Sequence, residues 1–260
     1  MANPQLAQNQ IEEKLQGENL EEWHQLWRAS QGGTATWELI AAALPFSESE
    51  ELGVLDLCCG PGDIGRYIRQ RFRKARVHCV DRDPFLLSLC TALNRRDEIS
   101  TLTFIRDMWS ADWYEGLSRD YDAVATAAAF HWFDVRRLSE LFSDVFGLLR
   151  SGGVLLFAEP ASPEPRFASA LENRKKGPAQ NLKPENYDPD AWDRFWSRAN
   201  ALLGYDHREL LRARPADRSE IGDRGIPVLE YVEMLKKAGF ESIDVLHRDS
   251  WNVVLAASKP

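Results

Sequence analysis

Between Val54 and Gly65 the chain reads VLDLCCGPGDIG: an apolar run, an acid within it, then a glycine-rich bend with a helical pattern behind it. A buried parallel strand passes into a helix in this way, across a bend that a ligand approaches closely. Gly60 and Gly62 carry no Cβ, so the backbone there accepts torsions closed to other residues and can lie against a nucleotide. A helix that starts near Asp63 aims its free N–H groups at whatever occupies the bend.

The same architecture is expected further along. Arg76 to Asp81 reads as a second strand ending in an acid, and Leu102 to Arg106 as a third that runs into Asp107. A fourth strand, Tyr121 to Ala129, leads to Phe130-His131-Trp132-Phe133-Asp134. Leu138, Leu141, Phe142, Val145 and Leu149 then form a helical stripe over Val135 to Arg150, stopped by Ser151-Gly152-Gly153. Val154 to Pro160 is the fifth strand, Val228 to Ala238 a helix capped by Gly239, and Ser242 to Leu246 with Trp251 to Ala257 a closing strand pair. These elements predict an α/β chain: a doubly wound, mostly parallel, seven-stranded sheet with an antiparallel C-terminal strand and one ligand along its carboxyl edge.

Two ligand classes fit the bend alone. Gly60 to Gly65 is a literal G-x-G-x-x-G, and Asp81 follows Gly62 by 19 residues, as in a nicotinamide dehydrogenase. Asp56, four residues before Gly60, makes an acid-x-x-x-Gly-x-Gly run instead. With the acids at Asp81 and Asp107, this resembles the class I S-adenosylmethionine-dependent methyltransferases, over about residues 50–160 and 226–259. The resemblance implies S-adenosylmethionine as cofactor, with Asp56 organising the methionine amino end, Asp81 accepting both ribose hydroxyls, Asp107 meeting the adenine amine and Met108 packing on the ring. Carboxylates suit these positions because hydroxyls and an exocyclic amine are donors. Cys58, Gly60, Gly62, Arg82 and Ala127 complete the implied cofactor set. The family usually has glycine at the position of Cys58, so the turn is expected to be tighter here. Many small-molecule members carry a similar His-Trp after the fourth strand; by position His131 is the candidate catalytic base, with substrate orientation or a loop histidine bonded to backbone as alternatives, and Trp132 is either an aromatic wall for the acceptor or core packing.

The acceptor is expected to be chosen elsewhere. Residues 1–48 read as an N-terminal helical lid, with helices over Leu20 to Arg28 and Trp37 to Leu44; Trp23 and Trp27 lie on its apolar stripe. Residues 49–160 form the cofactor-binding core, and 226–260 complete its sheet. Residues 161–225 interrupt the sheet and are expected to hold a helical cap starting at Asp188-Pro189-Asp190, with Trp192, Phe195 and Trp196 on its apolar face. Trp23, Trp27, Trp196 and Glu159 are candidate substrate contacts, although an aromatic stripe is more often packing. His24, His207, Tyr187 and Tyr205 are weaker candidates.

The net charge of −8 opposes general nucleic-acid binding, and the basic run Arg66 to Arg76 is read as a solvated helix face. No apolar run is long enough to span a membrane, and the start lacks a leader pattern, so a cytoplasmic location is expected. The adjacent Cys58-Cys59 pair does not have the spacing of a zinc site, and Cys58, Cys59, Cys79 and Cys90 are read as small buried residues, with a reactive thiol the lesser alternative. The expected function is methyl transfer to O, N or C of a small-molecule acceptor. A non-catalytic cofactor-binding protein of the same fold, a tRNA or protein methyltransferase and a nicotinamide dehydrogenase stay open, as does the oligomeric state.

Overall fold

The computed structural model describes residues 4–31, 34–167, 188, 190–204, 225–249 and 252–260. The expectations placed on Pro189, Tyr187, Tyr205, His207, Trp251 and most of the span 161–225 lie outside the described residues.

The sheet is built from β1 (Gly53–Leu57), β2 (Arg76–Asp81), β3 (Thr101–Ile105), β4 (Tyr121–Ala127), β5 (Leu149–Ser162), β7 (Ser242–Arg248) and β8 (Asn252–Ser258), in the order β3-β2-β1-β4-β5-β8-β7. Strands β3 to β5 along this order are parallel, while β8 runs antiparallel to both β5 and β7. The switch in strand order falls between β1 and β4, so the carboxyl ends of β2, β1 and β4 meet at one crevice. An eighth strand, β6 (Ile226–Pro227), was not expected; it pairs with Ala161 and Ser162 at the far end of β5. The chain therefore returns from the insertion beside the point where it left. Gly225 makes this return possible, because a Cβ at its φ of +63° would lie 1.7 Å from the Pro160 carbonyl oxygen.

Helices cover both faces, as the period-two burial of β1 requires. Val54 faces a core shared by α1 (Pro4–Leu15), α2 (Leu20–Ser30), α3 (Ala35–Ala42), α4 (Asp63–Arg71), α5 (Pro84–Arg96) and α7 (Ala191–Leu203). Leu55 and Leu57 face the other core, with α6 (Val135–Leu148), α8 (Val228–Ala238) and the segment bearing Trp113 and Leu117. Helix α5 begins on local signals: Asp83 caps it by accepting from the Phe85 and Leu86 N–H groups, and Pro84 occupies its first turn.

Several sequence expectations shift. Helix α1 was missed; it packs on α5. Helix α6 is not stopped by the glycines: the chain passes from Leu148 straight into β5, whose first residue pairs with Tyr121. The expected helix at Asp188 begins at Ala191, with the Asp188 carboxylate accepting from the Asp190 N–H at 3.0 Å. The basic run is not uniformly solvated. Arg66 is buried, paired with Asp97 and donating to Asn94 Oδ1, because α5 packs over that side of α4.

Candidate active site

At the carboxyl end of β1 the chain turns through Cys58 (φ +52°), Gly60 (φ +53°) and Gly62 (φ +83°). Cys58 thus occupies a left-handed conformation that favours glycine, which accounts for the expected tightness. The glycine positions also make room for neighbouring side chains. A Cβ on Gly60 would meet the Trp27 ring at 3.0 Å, and one on Gly62 would lie 2.5 Å from Cys90 Sγ. The space left by the missing side chains is therefore occupied by protein, from α2 on one side and α5 on the other.

Three acids bind the turn or flank it. Asp56 is fully buried and accepts from the Gly65 N–H at 2.8 Å, tying the start of α4 to β1; its other oxygen, Oδ1, has no hydrogen-bond partner. Burial holds its carboxyl well above the usual carboxylate range, and the Gly65 N–H only partly offsets this. Asp81 accepts from the Gly60 N–H at 2.9 Å through Oδ2 and from the Asp83 N–H at 2.9 Å through Oδ1. It is 7% exposed, and burial, with the neighbouring Asp83 charge, raises its carboxyl to about 6. Asp107 is exposed one strand further out, accepts from the Trp109 N–H at 3.1 Å, and lies 3.8 Å from Arg82. Asp56 and Asp81 sit on adjacent parallel strands, and Asp107 follows the next strand, two residues past the end of β3. Met108 departs from its expected place: its side chain is buried in the second core and its carbonyl accepts from Arg137 Nε at 2.7 Å.

On the other side of β1, β4 ends at Ala127, and Ala128 adopts φ +54°. A short 3₁₀ turn, Phe130–Trp132, follows. Glu159, from neighbouring β5, captures this turn: Oε1 accepts from the Ala129 N–H at 2.6 Å and the Phe130 N–H at 2.7 Å, while Oε2 accepts from the His131 N–H at 3.3 Å. His131 Nδ1 lies 2.9 Å from the same Oε2. A carboxylate engaged in this way is an acceptor only, so Nδ1 carries the proton of the neutral ring. Glu159 is 1% exposed and committed to these groups, which corrects its expected role as a contact for an acceptor amine. Trp132 is 43% exposed and its ring tilts over His131 with centroids 5.1 Å apart.

The expected substrate tryptophans lie deeper. Trp23 is fully buried among Phe85 and Phe195, donates to Glu18 and carries the Arg198 guanidinium over its ring. Trp196 is buried against Phe85, Phe195 and Trp192. Both glue α2, α5 and α7 together. Trp27 alone of the three reaches the turn, over Gly60. His24 is also structural: its Nε2 lies 2.6 Å from Asp63 Oδ1, which Arg28 Nε also contacts at 3.2 Å, so α2 is fastened to the first residue of α4. Sequence reasoning missed this clamp, because Asp63 and His24 are 39 residues apart. It also missed the convergence of the Cys59, Cys79 and Cys90 thiols, which come from three elements. Among the described residues no helix is long and apolar enough to cross a membrane.

Residues 54–153 match a family model described as a methyltransferase domain. Malonyl-[acyl-carrier protein] O-methyltransferases are among the similar curated proteins: that of Bacillus cereus is 26% identical over 114 residues, covering 44% of this chain and 39% of the relative. That of Acetivibrio thermocellus is 28% identical over 115 residues, covering 44% and 38%. The match thus spans less than half the length of these relatives. Among solved structures, an O-methyltransferase-like protein of Nostoc punctiforme superposes with a TM-score of 0.55 at 21% identity, covering 86% of this chain and 55% of that one. The CurJ carbon methyltransferase gives a TM-score of 0.57 at 17% identity, covering 92% and 58%. At such identities the superpositions speak for the fold, and the matched segment contains Asp56, the glycine turn, Asp81, Asp107 and His131. Residues 54–153 thus resemble a methyltransferase domain, and the chain around them shares the fold of these solved methyltransferases.

Proposed function

We propose that the protein transfers a methyl group from S-adenosylmethionine to an acceptor atom of a small or carrier-bound molecule. The observation that carries this reading is Asp81: a largely buried carboxylate at the end of β2 that ties down the turn through the Gly60 N–H and still has lone pairs left for two hydroxyls. The buried, unpartnered Asp56 Oδ1 beneath the same turn supports it, since an orphaned acceptor suits a cationic or donor-rich ligand end. Asp107 would meet the adenine amine, with Arg82 between the two acids. Cys58 and Ala127 close the strand ends on either side.

When bound, S-adenosylmethionine supplies a methyl group already activated on a positively charged sulfur. The protein then has to orient an acceptor and, where that acceptor holds a proton, remove it. His131 Nε2 is the base: Glu159 fixes the ring and its tautomer, and Trp132 offers an exposed aromatic face beside it. Glu159 acts through His131 and is a positioning residue. The curated relatives are named for O-methylation of a carrier-bound malonyl group, whose carboxylate needs no base. A fixed, basic histidine suits an acceptor with a proton to lose, such as a phenol or hydroxyl, and this observation favours the small-molecule reading.

Calorimetric titration with S-adenosylhomocysteine tests the cofactor site. The wild-type chain is expected to bind it, and Asp81→Ala to weaken binding at least tenfold, because two charge-assisted hydrogen bonds are lost together. Equal affinities in the two proteins, or no binding to the wild type, would overturn the reading. Glu159→Gln is expected to lower turnover and shift its pH profile while leaving that affinity nearly unchanged.

A further inference from the structure

Beneath the Gly60 turn, three thiols from three elements converge. Cys59 lies in the turn itself, Cys79 in β2 and Cys90 in α5, and their buried sulfur atoms all lie within 4.8 Å of one another. Three sulfurs around one ion at about 2.3 Å each stand about 4.0 Å apart, so the thiols need to close by less than about an ångström.

The surroundings distinguish this group from three small core residues. Asn94, itself buried, donates from Nδ2 to Cys90 Sγ at 3.3 Å, and Arg66 Nη1 donates to Asn94 Oδ1 at 3.3 Å. A guanidinium is thus relayed through an amide onto a sulfur, the arrangement that favours a thiolate and orients a ligand atom from outside. Gly62 leaves the room that Cys90 Sγ occupies, and the Cys79 sulfur lies 3.5 Å from the Cβ position of Gly65. Among the described residues no histidine nitrogen or carboxylate oxygen joins the three sulfurs at that spacing. An all-sulfur, three-donor set repels magnesium and calcium, which take oxygen, and lacks the fourth protein donor usual for structural zinc.

We propose that Cys59, Cys79 and Cys90 form a three-coordinate site for a soft, thiophilic monovalent cation, copper(I). Binding would replace three S–H bonds by three metal–sulfur bonds, with the protons released to solvent and no change in oxidation state. Because Cys59 immediately precedes Gly60, whose N–H is held by Asp81, an ion here would also fix the turn that forms the crevice.

The test is anaerobic titration of the full chain with copper(I), supplied as its acetonitrile complex against a chromogenic copper(I) chelator. One equivalent per chain is expected, with a sulfur-to-copper charge-transfer band and an X-ray absorption shell of three sulfurs. Cys90→Ala and, separately, Cys79→Ser should abolish the tight equivalent, and Cys58→Ser should retain it, with circular dichroism checking that each variant is folded. If Cys79→Ser does not fold, Cys90→Ala and Cys59→Ser carry the test. Retention of the tight equivalent in Cys90→Ala, its loss in Cys58→Ser, absence of tight binding in the wild type, or a zinc(II) arm that binds equally tightly with a four-donor shell would each overturn the proposal.

Discussion

The strand ends on either side of the crevice solve the same problem with opposite emphasis. After β1 and after β4 the chain leaves through a non-glycine residue in the left-handed region, Cys58 and Ala128, and in both cases a carboxylate from the neighbouring strand gathers the N–H groups that follow. Asp81 takes one N–H group on each oxygen and keeps further lone pairs. Glu159 takes three N–H groups and the His131 ring, and is sealed. The first carboxylate keeps capacity for a ligand, and the second spends all of its capacity on holding a side chain still. Under the proposed function one edge would bind and the other position.

Removing the two carboxylates should expose that difference most strongly. Glu159→Ala strands three buried N–H groups and a histidine proton, each orphan costing about 1–3 kcal/mol, so a loss of at least about 4 kcal/mol is expected in guanidinium melts. Asp81→Ala strands two buried N–H groups and no ring nitrogen, and about 2–3 kcal/mol is expected. Should Asp81→Ala prove as damaging to stability as Glu159→Ala, the division between a binding edge and a positioning edge would fail.

The pH dependence sharpens the same contrast through Asp81. Its carboxyl is raised to about 6 from an ordinary 3.8, so folding favours the protonated form: the stabilising contribution is full below about 3.8 and is lost as pH rises through 6. Ligand binding has the opposite sign, because two ribose hydroxyls are held best by the ionised form. Affinity for S-adenosylhomocysteine should fall by several-fold between pH 7 and pH 5.5, and Asp81→Asn should flatten that dependence. A wild-type affinity constant over this range would remove Asp81 from the binding edge.

Much of the binding edge was legible in the sequence, because its signals are local: an apolar run, an acid, glycines and an acid again at the next strand end. Asp56, Asp81 and Asp107 each stand at or near the end of a strand whose pattern is clear. The positioning edge was half legible. His131 and Trp132 were found from one motif, but Glu159 was misassigned, since nothing local says that its side chain turns onto a loop 28 to 30 residues earlier. Trp23 and Trp196 misled for a related reason. An apolar stripe shows that a helix face is covered, and here the cover is Phe85 and Phe195. The thiol cluster was invisible because spacing rules detect ligands that share one hairpin, and these come from a turn, a strand and a helix.

The smallest expected effect tests whether the left-handed residues at the two edges are equivalent. A left-handed L-residue costs about 1–2 kcal/mol, and glycine recovers that at an entropic cost of about 0.5–1 kcal/mol. Ala128 is exposed, so Ala128→Gly loses little packing and should stabilise the fold by about 0.5–1 kcal/mol. Cys58 is half-buried and packs against the second core, so Cys58→Gly forfeits apolar contact and should gain less, near zero. Denaturant melts of both variants decide this. If Cys58→Gly is the more stabilising of the two, strain at the β1 turn outweighs its packing. Cysteine in the position where glycine is usual would then be tolerated against stability, and a role for its side chain at the binding edge would have to be sought.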